Sequence, residues 1–293
     1  VGTDELLRMD DLASLDVDAS LAELASARDR TYYDAEADAA AAEAHYRGVA
    51  PEQFADLLTR SHVRRPGYKP ARELYPWVDL QPTGTLRSLY TGHVWDPEEL
   101  IRADVAIARE RARELTSRLR TRGARSPAEV RAEVEAALPF NCEHVVPQSW
   151  FAKKEPMRGD LHHLFACESR CNSFRGNTPF MEFADFPDPG GRVVRGECGK
   201  SEGNGFEPAH GKGAAARAVF YFLLRYPQEV QPGEMPPERL EMLFGWHEDD
   251  PVTEWERHRN AAISERQGNR NPVIDHPHLA RRLLTGMAPS SGR

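Results

Sequence analysis

An adjacent glutamate and histidine, Glu143-His144, open a stretch whose residue types suit hydrolysis better than packing. Residues 141–180 read NCEHVVPQSWFAKKEPMRGDLHHLFACESRCNSFRGNTPF and hold three of the chain's eleven histidines and three of its four cysteines. Glu143 offers a hard oxygen ligand, and the His144 imidazole is a base whose ordinary pKa lies near neutrality. Asn172 offers a second oxygen from a short segment that ends at Gly176. One carboxylate, one amide oxygen and a shell of waters suit Mg2+ and not zinc, which favours nitrogen and sulfur. A metal to polarise a phosphate and an imidazole to activate water are the parts of phosphodiester hydrolysis.

Neighbours in a regular strand point to opposite faces, so Glu143 and His144 serve one site only if the backbone is irregular or the site wraps over the strand edge. The same alternation sends one of His162 and His163 inward and the other away, and either also reads as a buttress. Asp160 reads as a partner behind the site or as a structural acceptor. Arg175 and Arg270 read as phosphate contacts or as loop ties. Cys142, Cys167, Cys171 and Cys198 bracket the stretch. Two disulfides in any of three connectivities, a structural zinc site made of all four cysteines and free thiols are all open readings. His247-Glu248 starts like H-E-x-x-H, but Pro251 stands where the second histidine would be, so a zincin is not expected. Neither a Gly-rich phosphate loop nor the zinc deaminase pattern occurs.

Start signals mark the helices that must position this stretch. Asp96-Pro97-Glu98-Glu99 predicts a helix with Ile101, Val105, Ala108, Ala112, Leu115 and Leu119 on one face, closed by Gly123. Ser126-Pro127-Ala128-Glu129 repeats the device ahead of Val130, Val134 and Leu138, and Pro139 stops it. Asp250-Pro251 predicts a third start, running through Trp255 and Ile263 to Gly268. Residues 216–226, ARAVFYFLLRY, are apolar nearly all round and predict a buried helix. Pro, Gly and aromatics crowd residues 61–95, which predicts irregular loops. Only about 141–166 looks strand-like, so the expected class is α+β and mainly helical.

The net charge of −8 is local: residues 1–60 hold 14 acids and 5 bases, so the other 233 residues carry +1. A neutral body permits nucleic-acid binding without arguing for it. Residues 1–48 are Ala-rich and acidic, expected to form a helical or partly disordered segment with little to bury, or an arm over a basic cleft. No run of about 18 apolar residues is present, so no transmembrane helix is expected. The chain opens on Val1 without a charged start and apolar stretch, which fits a secreted or periplasmic protein with a trimmed leader, or a cytoplasmic one.

Several motifs in order resemble the endonuclease I family of ββα-metal nucleases, which share the His-Me finger: LRSLYTG at 86–92, EHVVPQS at 143–149, RGDLHHL at 158–164, CNSFRGNTPF at 171–180, GKGAAARAVFYFLLRYP at 211–227 and DPVTEWERHRNAAISERQGNRNPVID at 250–275. The resemblance covers roughly 49–280, leaving 1–48 and a tail, 281–293, outside the expected catalytic domain. It implies a ββα-metal core surrounded by helices. It implies His144 as general base, Glu143 and Asn172 as ligands of one Mg2+ (or Mn2+ or Ca2+), and a 5′-phosphate product. An arginine on the phosphate is implied too, with Arg158 the candidate and Lys153 or Lys154 its substitutes. DNA, and RNA with it, is the implied partner, cut with little sequence preference. A nuclease fold that binds without cutting, or a toxin-type nuclease held by an inhibitor protein, is the competing expectation.

Overall fold

The computed structural model describes residues 16–120, 126–186 and 197–285. The first described helices are α1 (Val17–Arg28) and α2 (Ala35–Tyr46), capped by the carboxylates of Asp16 and Asp34 on their first free amides. α3 (Phe54–Ser61) and α4 (Pro70–Glu73) follow, then a two-residue pairing of β1 (Leu86–Arg87) with β2 (Val94–Trp95). α5 (Pro97–Arg120) starts where Asp96-Pro97 predicts and buries Ile101, Val105, Ala108 and Leu115. The expected stop at Gly123 lies outside the described residues. α6 (Pro127–Ala137) opens on the predicted capping box, Ser126 with Glu129. β3 (Cys142–His144) pairs antiparallel with β4 (Leu164–Ala166), and α7 (Ser169–Arg175) follows directly.

Beyond α7, β5 (Gly199–Glu202) pairs antiparallel with β6 (Gly205–Pro208). α8 (Lys212–Arg225), α9 (Pro237–Asp249), α10 (Glu254–Gln267), α11 (Pro272–Asp275) and α12 (Ala280–Thr285) complete the described chain. Among the described residues helices predominate over three small antiparallel pairs, an α+β architecture. α8 is the central element, buried on nearly every side and packed against α3, α9, α11 and α12. Its buried Arg217 is bound by both oxygens of Glu256 (Nε–Oε1 2.6 Å) and by the Asp250 carbonyl, which offsets the cost of burying the charge.

Three expectations need correction. Asp250 does not start α10; it follows the end of α9 and accepts from the Gly213 amide, and Thr253 caps α10 through a capping box with Glu256. β1/β2 and β5/β6 lie outside the only strand-like stretch, because GKSE and GFEP show no period-two apolar pattern to announce them. Residues 1–48 do have something to bury in their described part. Leu24 and Ala27 join Leu74, Tyr75 and Ile101 in one core cluster, and Tyr46 joins another with Phe54. Burying a Leu or Tyr of this kind is worth about 2 kcal/mol. Residues 61–95 are largely irregular, yet Leu74, Tyr75, Trp77, Val78 and Leu80 are core residues.

Candidate active site

β3, β4 and α7 form a ribbon-and-helix unit. Pairing sets Cys142 opposite Ala166, Glu143 opposite Phe165 and His144 opposite Leu164. The two ribbon faces feed different cores: Glu143's partner Phe165 packs with Tyr90 and Val145, while Leu164 and Ala166 pack with Tyr75 and Ile101. Strand alternation therefore holds at Glu143 and His144, so one site can take both only by wrapping over the end of β3. β3 ends there, ahead of Pro147, which cannot donate to a ladder.

α7 is tied to β3 by two side chains one turn apart. Asn172 Nδ2 donates to the Cys142 carbonyl at 2.7 Å. Arg175 donates to Glu143 Oε1 at 3.0 Å and to the carbonyls of His144 and Val145 at 3.1 and 2.9 Å. The Tyr90 hydroxyl donates to the same Glu143 oxygen at 2.7 Å. Two oxygens are left over: among the described residues, neither Glu143 Oε2 nor Asn172 Oδ1 has a hydrogen bond. These are hard donors of the kind Mg2+ takes alongside water, so the residues fit the ion that the resemblance implies. Burial pushes the Glu143 pKa up to about 7, against the pull of Arg175 and Tyr90. A cation on Oε2 would hold it ionised.

His144 is almost fully buried and held by one bond, Nε2 to the carbonyl oxygen of Arg158 at 2.9 Å. A carbonyl only accepts, so Nε2 carries the proton and Nδ1 the lone pair. No hydrogen bond occupies Nδ1 among the described residues. Tyr68 lies against the ring with centroids 4.5 Å apart, and His163 stands edge-on at 5.4 Å. Burial holds the imidazole well below its usual pKa, and the neighbouring His163, Arg158 and Arg175 push the same way, while the bond to the Arg158 carbonyl pulls back. The ring is thus neutral at pH 7, as a general base must be.

Arg158 reaches over the Tyr68 ring (5.3 Å) and donates to Gln148 Oε1 and to Glu135 Oε1 (2.9 Å), with its side chain about 20% exposed. Lys153 shares Glu135 at 3.4 Å, whereas Lys154 turns away to Glu229. His162 and His163 sit in a 3-10 turn, Leu161–His163, and not in a strand. His163 faces His144; His162 faces the Tyr221 ring and bonds the Asn269 carbonyl. Asp160 is fully buried and accepts from Tyr221, Tyr226, Gln267 and the His162 amide. Burial raises its pKa, but His62, His162, His163 and Gln267 outweigh that and bring it to about 2. Arg270 is not brought to this unit. Its guanidinium is taken by Asp38 and Asp275, each at 2.7 Å, tying α2 to α11.

None of the three readings of the cysteines holds as stated. Cys171, beside Asn172 on α7, forms a disulfide with Cys198 just before β5. Cys142 and Cys167 are buried free thiols. They cannot pair because they point to opposite faces of the ribbon, Cys142 into one core cluster and Cys167 into the other. The disulfide consumes two of the four thiols that a four-cysteine zinc site needs. Among the described residues no three His, Cys, Asp or Glu side chains gather as a metal cage.

Residues 86–278 match the family model described as Endonuclease I, and that span is well over half of the chain. The chain belongs to the endonuclease I family. An extracellular ribonuclease of Bacillus subtilis (strain 168) is 33% identical over 157 residues, covering 48% of this chain and 52% of the relative. A periplasmic deoxyribonuclease of Aeromonas hydrophila is 27% identical over 165 residues, 50% of this chain and 67% of the relative, and an extracellular deoxyribonuclease of the same organism is 28% identical over 167 residues, 50% and 70%. The match spans about half the length of the Bacillus relative.

Within this endonuclease I member, sequence reasoning misses three residues around the candidate site. Tyr90 stands in the LRSLYTG motif but signals nothing about Glu143, from which it is 53 positions distant. Tyr68, in the Pro- and Gly-rich loop, and Glu135, near the end of α6, are likewise brought in only by tertiary packing. No described helix is long and apolar enough to cross a membrane.

Proposed function

We propose that this chain is a divalent-metal-dependent endonuclease that hydrolyses phosphodiester bonds of DNA, and of RNA, with little sequence preference through a His-Me finger site. One observation carries the reading: His144 is a neutral imidazole fixed through Nε2, on the same ribbon-and-helix unit that leaves Glu143 Oε2 and Asn172 Oδ1 free. Glu143 and Asn172 would hold Mg2+, with Mn2+ or Ca2+ as substitutes, and the bound ion would polarise the phosphate and neutralise charge on the leaving 3′ oxygen. His144 Nδ1 takes a proton from the attacking water, and the Arg158 carbonyl steadies the imidazolium that results. The Arg158 guanidinium, near His144 and partly exposed, would leave Glu135 for the phosphate. The phosphate stays on the 5′ oxygen of the downstream fragment, and the upstream fragment leaves with a 3′ hydroxyl.

Relatives named for ribonuclease and for deoxyribonuclease activity support a substrate class wider than DNA. Their extracellular and periplasmic names, with the Cys171–Cys198 disulfide, favour an oxidising compartment. The test is to incubate purified protein with plasmid, single-stranded DNA and RNA, in Mg2+ and in excess EDTA. Cleavage in Mg2+ alone, with 5′-phosphate ends, is expected. Binding without cleavage would favour a nucleic-acid-binding module, and cleavage unimpaired by EDTA would remove the metal from the account.

A further inference from the structure

An open groove of about 820 Å3 lies between the 3-10 turn Gln148–Phe151, the residues just past α7, and the segment that leads into α9. Its wall includes Asn177, Thr178 and Pro179, which follow α7. Asn177 follows Asn172 by three helical and two extended steps, so the two lie within about 12 Å along the chain. Trp150 follows His144 by six residues. The volume is that of a small-molecule pocket and larger than a single phosphate needs.

Its chemistry is neutral and planar. Lys154 is paired with Glu229 at 3.2 Å. Arg239 is spent on the carbonyl oxygens of Phe180 and Glu234. Glu229 and Glu234 also line the groove, so it has no cationic surplus to attract a phosphate. What it offers is the half-buried Trp150 ring together with the amides of Asn177, Asn204, Gln228 and Gln231. Among the described residues no hydrogen bond occupies any of those four amides. An aromatic face with several uncommitted donor–acceptor pairs is the means by which proteins hold an unpaired base, by stacking and by bonding its edge. The amide side chains carry both a donor and an acceptor, so they suit every base and enforce little sequence preference.

We propose that this groove is a nucleobase subsite, in which one unpaired base flanking the cleaved bond stacks on Trp150 and bonds the surrounding amides. The subsite rests on the nuclease reading for its substrate but not on the chemistry of cleavage. Stacking on one aromatic side chain is worth about tenfold in affinity, or more. It positions the strand so that the neighbouring phosphate meets the ribbon-and-helix unit.

The experiment measures Kd in EDTA, with cleavage off, for short single-stranded DNA and RNA oligonucleotides by fluorescence anisotropy. Wild type, Trp150→Ala and Trp150→Phe are compared on intact oligonucleotides and on an otherwise identical abasic series, with circular dichroism confirming that each variant is folded. Trp150→Ala should bind intact DNA or RNA about tenfold more weakly, Trp150→Phe should stay near wild type, and the abasic chains should bind both Trp150→Ala and wild type alike. If Trp150→Ala binds both intact oligonucleotides as wild type does, or loses as much on abasic chains as on intact ones, the subsite is wrong. Should Trp150→Ala fail to fold, Asn177→Ala with Gln231→Ala, both at exposed positions, takes its place with the same criteria. Failure of the nuclease reading would show separately, as no cleavage by wild type when Mg2+ is restored.

Discussion

The ring of His144 donates its Nε2 proton to the backbone carbonyl of Arg158 across 2.9 Å. One short loop therefore orients the candidate base through its backbone and carries the candidate phosphate ligand on its side chain. That loop is held from behind by Asp160, two residues on, whose oxygens are bonded to α8 through Tyr221, to Tyr226 just past its end, and to the end of α10 through Gln267.

The pH profile follows from His144. Burial first, then His163 and the nearby guanidiniums, hold its pKa below the usual value of about 6.5. Above that depressed pKa the ring is neutral and competent; below it the ring is protonated and kcat/KM falls. The acid limb should thus lie below about pH 6.5 at saturating metal. A limb centred at or above that value would show that the buried, neutral imidazole is not the base.

Tyr90 is fully buried and its hydroxyl donates to Glu143. Tyr90→Phe removes one donor from Oε1 and leaves Arg175 in place. Partners of this kind typically set metal affinity by about 10–100-fold. The Mg2+ concentration for half-maximal rate should rise by that order, while the rate at saturating Mg2+ changes little. An unchanged Mg2+ midpoint would separate Tyr90 from the metal.

The cysteines can be counted chemically. Denatured, unreduced protein should show two reactive thiols, Cys142 and Cys167, and four after reduction. Four before reduction, with zinc released, would restore the four-cysteine zinc reading. Replacing both Cys171 and Cys198 by Ser should cost about 3.5 kcal/mol for a loop of this length and loosen α7, which carries Asn172.

Much of this was legible in residue order, and the parts that were not share a cause. The starts of α5 and α6 are written locally, as Pro at the first helical position and Glu at the third, and the structure uses both. The buried α8 is announced by its all-round apolar character. Asp250-Pro251 carries the same local signal, but Asp250 is taken by Gly213 of α8, a partner 37 positions away. Arg270 reads from the sequence as a phosphate contact or a loop tie, and only the fold shows the two carboxylates that make it a tie. The thiols were ambiguous for a similar reason: spacing does not reveal that Cys142 and Cys167 face opposite sides of one ribbon. Local chemistry is written in the chain, and long-range pairing is not.

Asp160 makes an acid-stability prediction. Its pKa is depressed to about 2 from an ordinary 3.8, so its contribution is present above about pH 4 and is lost as pH falls through about 2. Asp160→Asn should destabilise the fold at pH 7 by about 1–3 kcal/mol, since the amide cannot accept all four bonds, and the penalty should shrink as pH falls towards 2. Urea melts at several pH values measure both, and a penalty that grows on acidification would reverse the assigned sign.

The division of labour between His144 and the two oxygen donors is the centre of this account, and rate against Mg2+ concentration tests it most directly. His144→Ala should lose about 10²–10⁴-fold in rate with the Mg2+ midpoint unchanged. Glu143→Ala and Asn172→Ala should shift the midpoint upward and recover part of their activity at high Mg2+. A His144→Ala enzyme that keeps near wild-type rate, or that high Mg2+ restores as it does the other two, would contradict it.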